Sequence, residues 1–273
     1  MFYNSRKDSG LVATFTIAEL IYHSIARKIR KSHRNALMSI IVNLLQLVVF
    51  VLAFYVMFTL LGLRSSAVRG DFLLYLMSGI FLYMTHTKTL GAVVGSEGPT
   101  SPMMLHAPMN TIIAILSSAL SALYIQVLSL SLILFVYYVA FKHFVIEDPA
   151  GAFGMLMLAW FSGLSIGMVL LAIKPWFPTA VGMITLIYQR ANMIASGKMF
   201  LANSLPTFML NMFDWNPLFH CIDQARGFTF INYFPRNSSI TYPIIVSLVF
   251  LMIGLMGEFY ARKNSSVSLS ARR

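Results

Sequence analysis

The chain has 273 residues, 58% of them hydrophobic and only 11% charged, with a formal net charge of +11. A soluble domain carries about 25% charged residues, so this composition excludes an ordinary water-soluble globule. One cysteine, Cys221, excludes an internal disulfide.

Residues 1–35 form a basic N-terminus. Within 11–34, Ile17, Leu20, Ile21, Ile25 and Ile29 recur at helical spacing, while Glu19, His23, Arg27, Arg30 and Lys31 fill other faces. That pattern predicts an amphipathic helix lying in the headgroup region, able to anchor the chain or to dock a partner. No cleavable signal peptide is expected, because the first apolar run, Asn35 to Leu63, is too long for one. This run contains no Asp, Glu, Lys or Arg. At 1.5 Å per residue it is roughly 43 Å long, against a hydrocarbon thickness of ~30 Å.

Residues 36–260 read as a transmembrane domain with six spans, at about 36–62, 72–94, 109–141, 150–173, 176–197 and 241–258. Backbone polar groups in lipid must be satisfied within their own segment, so the spans are helices; the short alternating segments of a β-barrel are absent. Between spans two and three, residues 95–108 hold three prolines and one acidic residue, a compact elbow. Residues 198–240 are apolar yet broken by Pro206, Pro217 and Pro235 and studded with Asp214, Asp223, Arg226 and Arg236. They predict a re-entrant helical hairpin on the outer face. Within it, Asn216 suits an N-cap and Pro217 a first helical position, while His220, Asp223 and Arg226 share one rough helical face. The pairs Gly91/Gly95 and Gly163/Gly167 have the spacing that lets helices approach closely in lipid. Residues 261–273 are a cytoplasmic tail whose Ser-rich end, from Asn264, reads as disordered.

An even span count puts both termini on one side. That side holds twelve Lys/Arg, including Lys174 in the fourth loop; the opposite loops hold seven. The excess places both termini in the cytoplasm of a multi-pass inner-membrane protein. The basic residues flank spans and form no continuous patch, which argues against nucleic acid.

No phosphate-binding loop is present: Gly197-Lys198 is followed by Met199 and lacks the upstream glycine. No metal-ligand spacing occurs among the six histidines. Gly163-Leu-Ser165-Ile-Gly167 matches a nucleophile-elbow pattern, but it lies inside a span, where helix packing explains the same residues. Two basic residues inside spans carry more meaning. Lys88, with His86 two residues earlier, lies in span two, and Arg190 interrupts span five. A charge at the helix centre costs about 2.5–3.5 kcal/mol on insertion scales, so it usually faces a bundle interior or an aqueous path. Lysine can instead snorkel.

Three local patterns give the chain its resemblance to a known group. Leu76-Met-Ser-Gly-Ile-Phe-Leu-Tyr83 is similar to the Gly-containing start of a second span. Arg190, then Ser196-Gly197 and Leu205-Pro206, is similar to the end of a fifth span and the hairpin after it. Asn216-Pro-Leu-Phe-His220, followed by Asp223 and Arg226, is similar to a segment before the last span. Together they resemble the permease subunits of ABC transporters of the second exporter type, in their polysaccharide-export (capsule) branch. Asp223 stands where glutamate is common, and Tyr83 is the nearest candidate for an aromatic that is usually tryptophan.

The resemblance implies a homodimer, each copy binding a separate ATPase subunit that carries ATP and Mg; this chain would bind no cofactor itself. Glu97, Pro99, Ser101 and His106, with Glu19 and Arg27 of the N-terminal helix, would meet the ATPase. A lipid-linked, acidic polysaccharide would pass along Lys88, His86, Arg190, Lys198 and Tyr83. Asn216, Pro217, His220, Asp223 and Arg226 would build the outer hairpin, where a periplasmic adaptor could dock. Competing readings are a drug- or lipid-efflux permease of the same architecture, an intramembrane hydrolase using Ser165, and a scaffold with no ATPase partner.

Overall fold

A computed structural model of the chain describes residues 18–26, 28, 36–62, 71–96 and 111–270. Every regular element among them is helical. Residues 18–26 form a short helical stretch. It is followed by α1 (Ala36–Leu60), α2 (Phe72–Val94), α3 (Thr111–Ala140), α4 (Pro149–Ile173) and α5 (Pro178–Ala195). A 3-10 turn (Ala202–Ser204) leads into the short α6 (Thr207–Phe213), then α7 (Pro217–Thr229) and the long α8 (Thr241–Ser270).

Local chemistry sets several of these boundaries. Asp71 caps α2 by accepting the Leu73 N–H (2.9 Å). Asp148 caps α4 by accepting the Gly151 N–H (3.0 Å), with Pro149 in the first turn, where its missing donor costs nothing. Pro178 opens α5 in the same way. At its other end, α2 is closed by Gly95, whose N–H bonds the Gly91 carbonyl, and by Lys174, whose ammonium reaches the Val94 carbonyl (2.7 Å) from the α4–α5 turn. The Ser-rich end read as disordered instead continues α8 through Ser270. No glycine or proline lies between Gly257 and Ser270 to stop the hydrogen-bond ladder.

Among the described residues, four segments are long and apolar enough to cross a membrane: Met38–Leu60, Thr111–Ala140, Pro149–Ile173 and Thr241–Asn264. Only 22% of the apolar window is buried in α1, α3 and α8, against 67% in α4. Their outward faces carry Leu45, Val49 and Val56, then Phe135 and Val139, then Met252 and Met256, all exposed. Such a surface is matched to lipid, and the chain is a multi-pass membrane protein.

The two other long helices are not uniformly apolar: α2 is mostly buried, whereas α5 buries Val181, Thr185 and Asn192 alone. α2 contains Thr85, His86, Thr87, Lys88 and Thr89, and it packs against α1, α3, α4, α5 and α7. α5 carries Gln189, Arg190 and Asn192. α2 and α4 approach each other closely. A Cβ on Gly163 would lie 2.4 Å from the His86 carbonyl oxygen, so only glycine fits there. Between α1 and α3, in a stretch that is otherwise apolar, Asn43 donates to Ser129 Oγ (2.9 Å) and accepts from Gln126 (3.1 Å). These interhelical bonds register the pair.

The Ser165 hydroxyl is fully buried and donates to the Phe161 carbonyl of its own helix (2.8 Å). His86 finds Ser162, not Ser165. A serine spent on its own helix and lacking a base does no nucleophilic chemistry.

Candidate functional site: a clamp on the loop after α5

α7 is short, but ten of its thirteen residues are buried, and it packs against α2, α4 and α8. Asn216 starts it: the side-chain oxygen accepts the Leu218 N–H (3.1 Å), and the amide donates to Asn192 Oδ1 (2.8 Å) and to the Ala195 carbonyl (3.0 Å). One residue thus caps α7 and fastens it to the end of α5. Pro217 follows in the first turn.

His220, Asp223 and Arg226 do fall on one buried face, yet they bind other segments rather than one another: His220 and Asp223 share the Ser238–Ser239 stretch, and Arg226 takes the loop after α5. His220 Nδ1 accepts the Ser239 N–H (3.1 Å), so the ring proton sits on Nε2 and is donated to the Asp214 carbonyl (2.6 Å). Asp223 accepts from Ser238 Oγ (2.7 Å) and from the Tyr233 hydroxyl. Burial, and then the carboxylate beside it, push the Tyr233 phenol well above its ordinary range, so it stays a donor. Backbone bonds from Asp148 to Phe228 (2.9 Å) and from Glu147 to Thr229 (3.4 Å) add the α3–α4 loop to the same knot.

Arg226 is 1% exposed, and among the described residues no carboxylate pairs with it. Its guanidinium instead gathers three carbonyls of the loop after α5: Gly197 (2.9 Å), Phe200 (2.6 Å) and Lys198 (2.7 Å). The plane lies over the Tyr75 ring, 4.3 Å from its centroid. Three charge-assisted bonds and an aromatic face are the compensation a buried cation needs. Gly197 makes the turn at φ +74°. On the far side, Gly79 of α2 leaves room for the loop: a Cβ there would lie 2.9 Å from Lys198 Cα, from Lys198 O and from Arg226 Nη2. The glycine in the Leu76–Tyr83 segment is therefore the seat of the loop.

The clamp directs Lys198 inward. Its side chain is 1% exposed and ends among three rings: Tyr83 at 3.6 Å, Phe50 at 4.6 Å and Phe54 at 5.1 Å from ammonium to centroid. Phe50 and Tyr83 lie nearly parallel, 11° apart in plane and 6.0 Å between centroids. Among the described residues no hydrogen-bond acceptor reaches the ammonium. Burying an ion costs several kcal/mol even after relaxation. A desolvated cation–π contact returns about 2 kcal/mol, so the rings offset part of that cost; burial still lowers the Lys198 pKa from 10.5 to about 7, and no oxygen partner among the described residues restores it.

The other path candidates stand apart. Lys88 is half-buried and donates to Gln46 Oε1 on α1 (2.6 Å). His86 has no exposed surface: Nδ1 donates to Ser162 Oγ (2.8 Å), whose proton goes to Ala159, and Nε2 accepts from the Tyr188 hydroxyl (3.0 Å). Tyr83 donates to the Gln189 carbonyl (3.1 Å), and Gln189 donates to the Thr87 carbonyl (3.2 Å), which joins α2 to α5. Arg190, next in sequence, is exposed. The structure thus brings Lys198 and Tyr83 into contact and disperses Lys88, His86 and Arg190 over three directions. Sequence reasoning missed Phe50 and Phe54, and it marked the glycine of the Leu76–Tyr83 motif without showing what Gly79 seats. Phe50 and Phe54 are one helical turn apart, a signal indistinguishable from lipid-facing spacing.

Of the residues suggested for ATPase contact, Arg27, Glu97, Pro99, Ser101 and His106 lie outside the described residues. Glu19 is exposed and stands 3.7 Å from His23 Nε2 one turn later. Nearby, Lys28 joins the N-terminal region to α3 through the Ala114 carbonyl (3.1 Å) and Ser118. No group of His, Cys, Asp and Glu among the described residues could hold a metal ion.

No protein-family model matches the chain. Among curated proteins it is similar to two polysialic acid transport proteins, both called KpsM and both from Escherichia coli. Each is 24% identical, over 189 and 193 residues, covering 68% of this chain and 71% of the relative. These relatives are named for transport rather than for catalysis, and they support the resemblance to polysaccharide-export permeases that the three motifs carry.

Proposed function

We propose that this chain is the permease subunit of an ATP-driven exporter that moves a lipid-linked, acidic polysaccharide outward across the inner membrane. The observation that carries the reading is the similarity to two polysialic acid transport proteins over 68% of the chain. It is joined by an α7 motif in which Arg226 holds the loop after α5 against α2, while His220 and Asp223 fasten the segments on either side of α7. In this reading α1, α2, α3, α4, α5 and α8 are the six spans, both termini are cytoplasmic, and the segment from Lys198 through α7 is a re-entrant outer hairpin. Two copies enclose the path, and each takes a separate ATPase on the cytoplasmic side. The residues 97–106 and the N-terminal helix are the contact surface, and the outer hairpin is the place for a periplasmic adaptor.

Export is then a matter of electrostatics and shape rather than of covalent chemistry. Lys88, Arg190 and Lys198 supply positive charge to a polyanion in a low-dielectric setting, where attraction is strong but must permit release. Tyr83 lies beside Lys198, and His86 braces α2 against α4 and α5 through Ser162 and Tyr188. The reading is tested by producing the chain with its ATPase in cells that make the glycan and measuring surface polysaccharide. Wild type restores it; Lys88→Ala and Arg190→Ala variants, at equal membrane abundance, lower it about fivefold or more, the loss expected for a removed charge worth at least ~1 kcal/mol. Unchanged surface glycan in both variants removes these residues from the path, and no restoration by wild type removes the reading.

A further inference from the structure

We propose that Lys198 is the residue that discriminates acidic from neutral glycan, acting as a latch that a substrate carboxylate withdraws from its aromatic box. The inference rests on the export reading above and names the group that reads the substrate's charge.

The root of the side chain is fixed. Arg226 holds the carbonyls on either side of Lys198 and its own, and Gly79 seats the backbone against α2. With that backbone held, a swing of the four-carbon stem is the motion that would withdraw the ammonium from the rings.

The tip is poorly satisfied. Arg226 and Lys88 already hold oxygen acceptors, and Arg190 is exposed. The ammonium of Lys198 is buried with ring faces alone. A charge-assisted bond to a carboxylate is stronger than contact with an aromatic face, so an anionic sugar reaching the mouth of the box outcompetes the rings. A neutral sugar offers only hydroxyls, which do not neutralise the charge, and the lysine stays parked. While parked it joins α1 (Phe50, Phe54) to α2 (Tyr83) and to the loop of the outer hairpin, a three-way seal. Its release by carboxylate couples substrate charge to opening at that junction.

The test uses the full chain in lipid nanodiscs and reductive methylation by formaldehyde and cyanoborohydride, quantified residue by residue by mass spectrometry. Lys142, whose side chain is 68% exposed, is the internal reference. Without glycan, Lys198 reacts at least tenfold more slowly than Lys142. A sialic acid oligomer raises its rate at least fivefold; a neutral dextran oligomer of equal length leaves it unchanged. A Phe50→Leu/Tyr83→Leu variant, with the box dismantled, is labelled at least fivefold faster than wild type with no glycan present. Fast labelling of wild-type Lys198 at rest overturns the box, and an equal response to both oligomers, or to neither, overturns the discrimination. Export measured in parallel separates the two readings. Wild type that exports while Lys198 ignores the acidic oligomer sinks the latch alone. Wild type that exports no glycan while labelling responds as stated sinks the export reading and leaves a carboxylate-sensitive lysine.

Discussion

At the scale of the residue, buried cations in this protein are sorted by what neutralises them. Arg226 spends its planar fork on three carbonyls and a ring, a task for which a lysine ammonium has the wrong shape. Replacing it by Met strands three carbonyls, each worth about 1–3 kcal/mol when left unpaired, and destabilises the protein by roughly 3 kcal/mol or more. Lysine at the same position recovers less than half of that, because it keeps the charge and loses the fork. Thermal unfolding in detergent, followed with limited proteolysis of residues 197–205, checks both variants; a Met variant that melts with wild type would leave the clamp without energetic weight. His220 and Asp223 were legible as linked polar groups on one helical face. Their actual partners, Asp214, Ser238, Ser239 and Tyr233, come from loops on both sides of α7, and no periodicity announces which loop folds back.

At the scale of the element, α2 shows why hydropathy reports solvent and not importance. The helix is enclosed by five others, so it can carry three threonines, a histidine and a lysine that a lipid-facing helix would not tolerate. Both of its ends are held by side chains, Asp71 at the start and Lys174 at the finish. Asp71 also accepts from Tyr137 and stands 4.0 Å from Lys142, which ties the start of α2 to the end of α3. An Asp71→Ala change removes a cap worth ~1 kcal/mol together with the Tyr137 bond. The expected result is a loss of about 2 kcal/mol, with faster proteolytic cleavage near residue 71 and little change at α4. Equal cleavage at both places would deny Asp71 a local role. The small-residue spacing of Gly163 and Gly167 was readable as packing, whereas the identity of the surface packed, His86 to Val93 of α2, was not.

At the scale of the whole molecule, the apolar faces of α1, α3 and α8 surround an interior built on α2, α4 and α7, most of whose residues are buried. If both termini are cytoplasmic and residues 230–240 lie on the outer face, single cysteines placed at Ile231 and Phe234 will react with a membrane-impermeant maleimide from outside, and one at Glu19 will not. Ile231 and Phe234 are exposed, and the native Cys221 is a buried free thiol, so background labelling is low. The reverse pattern would invert the topology. The sequence by itself determined the solvent and the class of fold: runs of apolar residues without charge can satisfy their backbone in lipid only as helices, a constraint local to each segment. It also marked the Asn216–Arg226 segment, because a capped, proline-opened turn of helix bearing three polar groups stands out from apolar surroundings. Tertiary structure alone decided what those groups hold and that Lys198 ends among Phe50, Phe54 and Tyr83. Those three rings lie more than a hundred residues from Lys198 in the chain, and only the folding of α1, α2 and the loop after α5 onto one another brings rings and charge within contact.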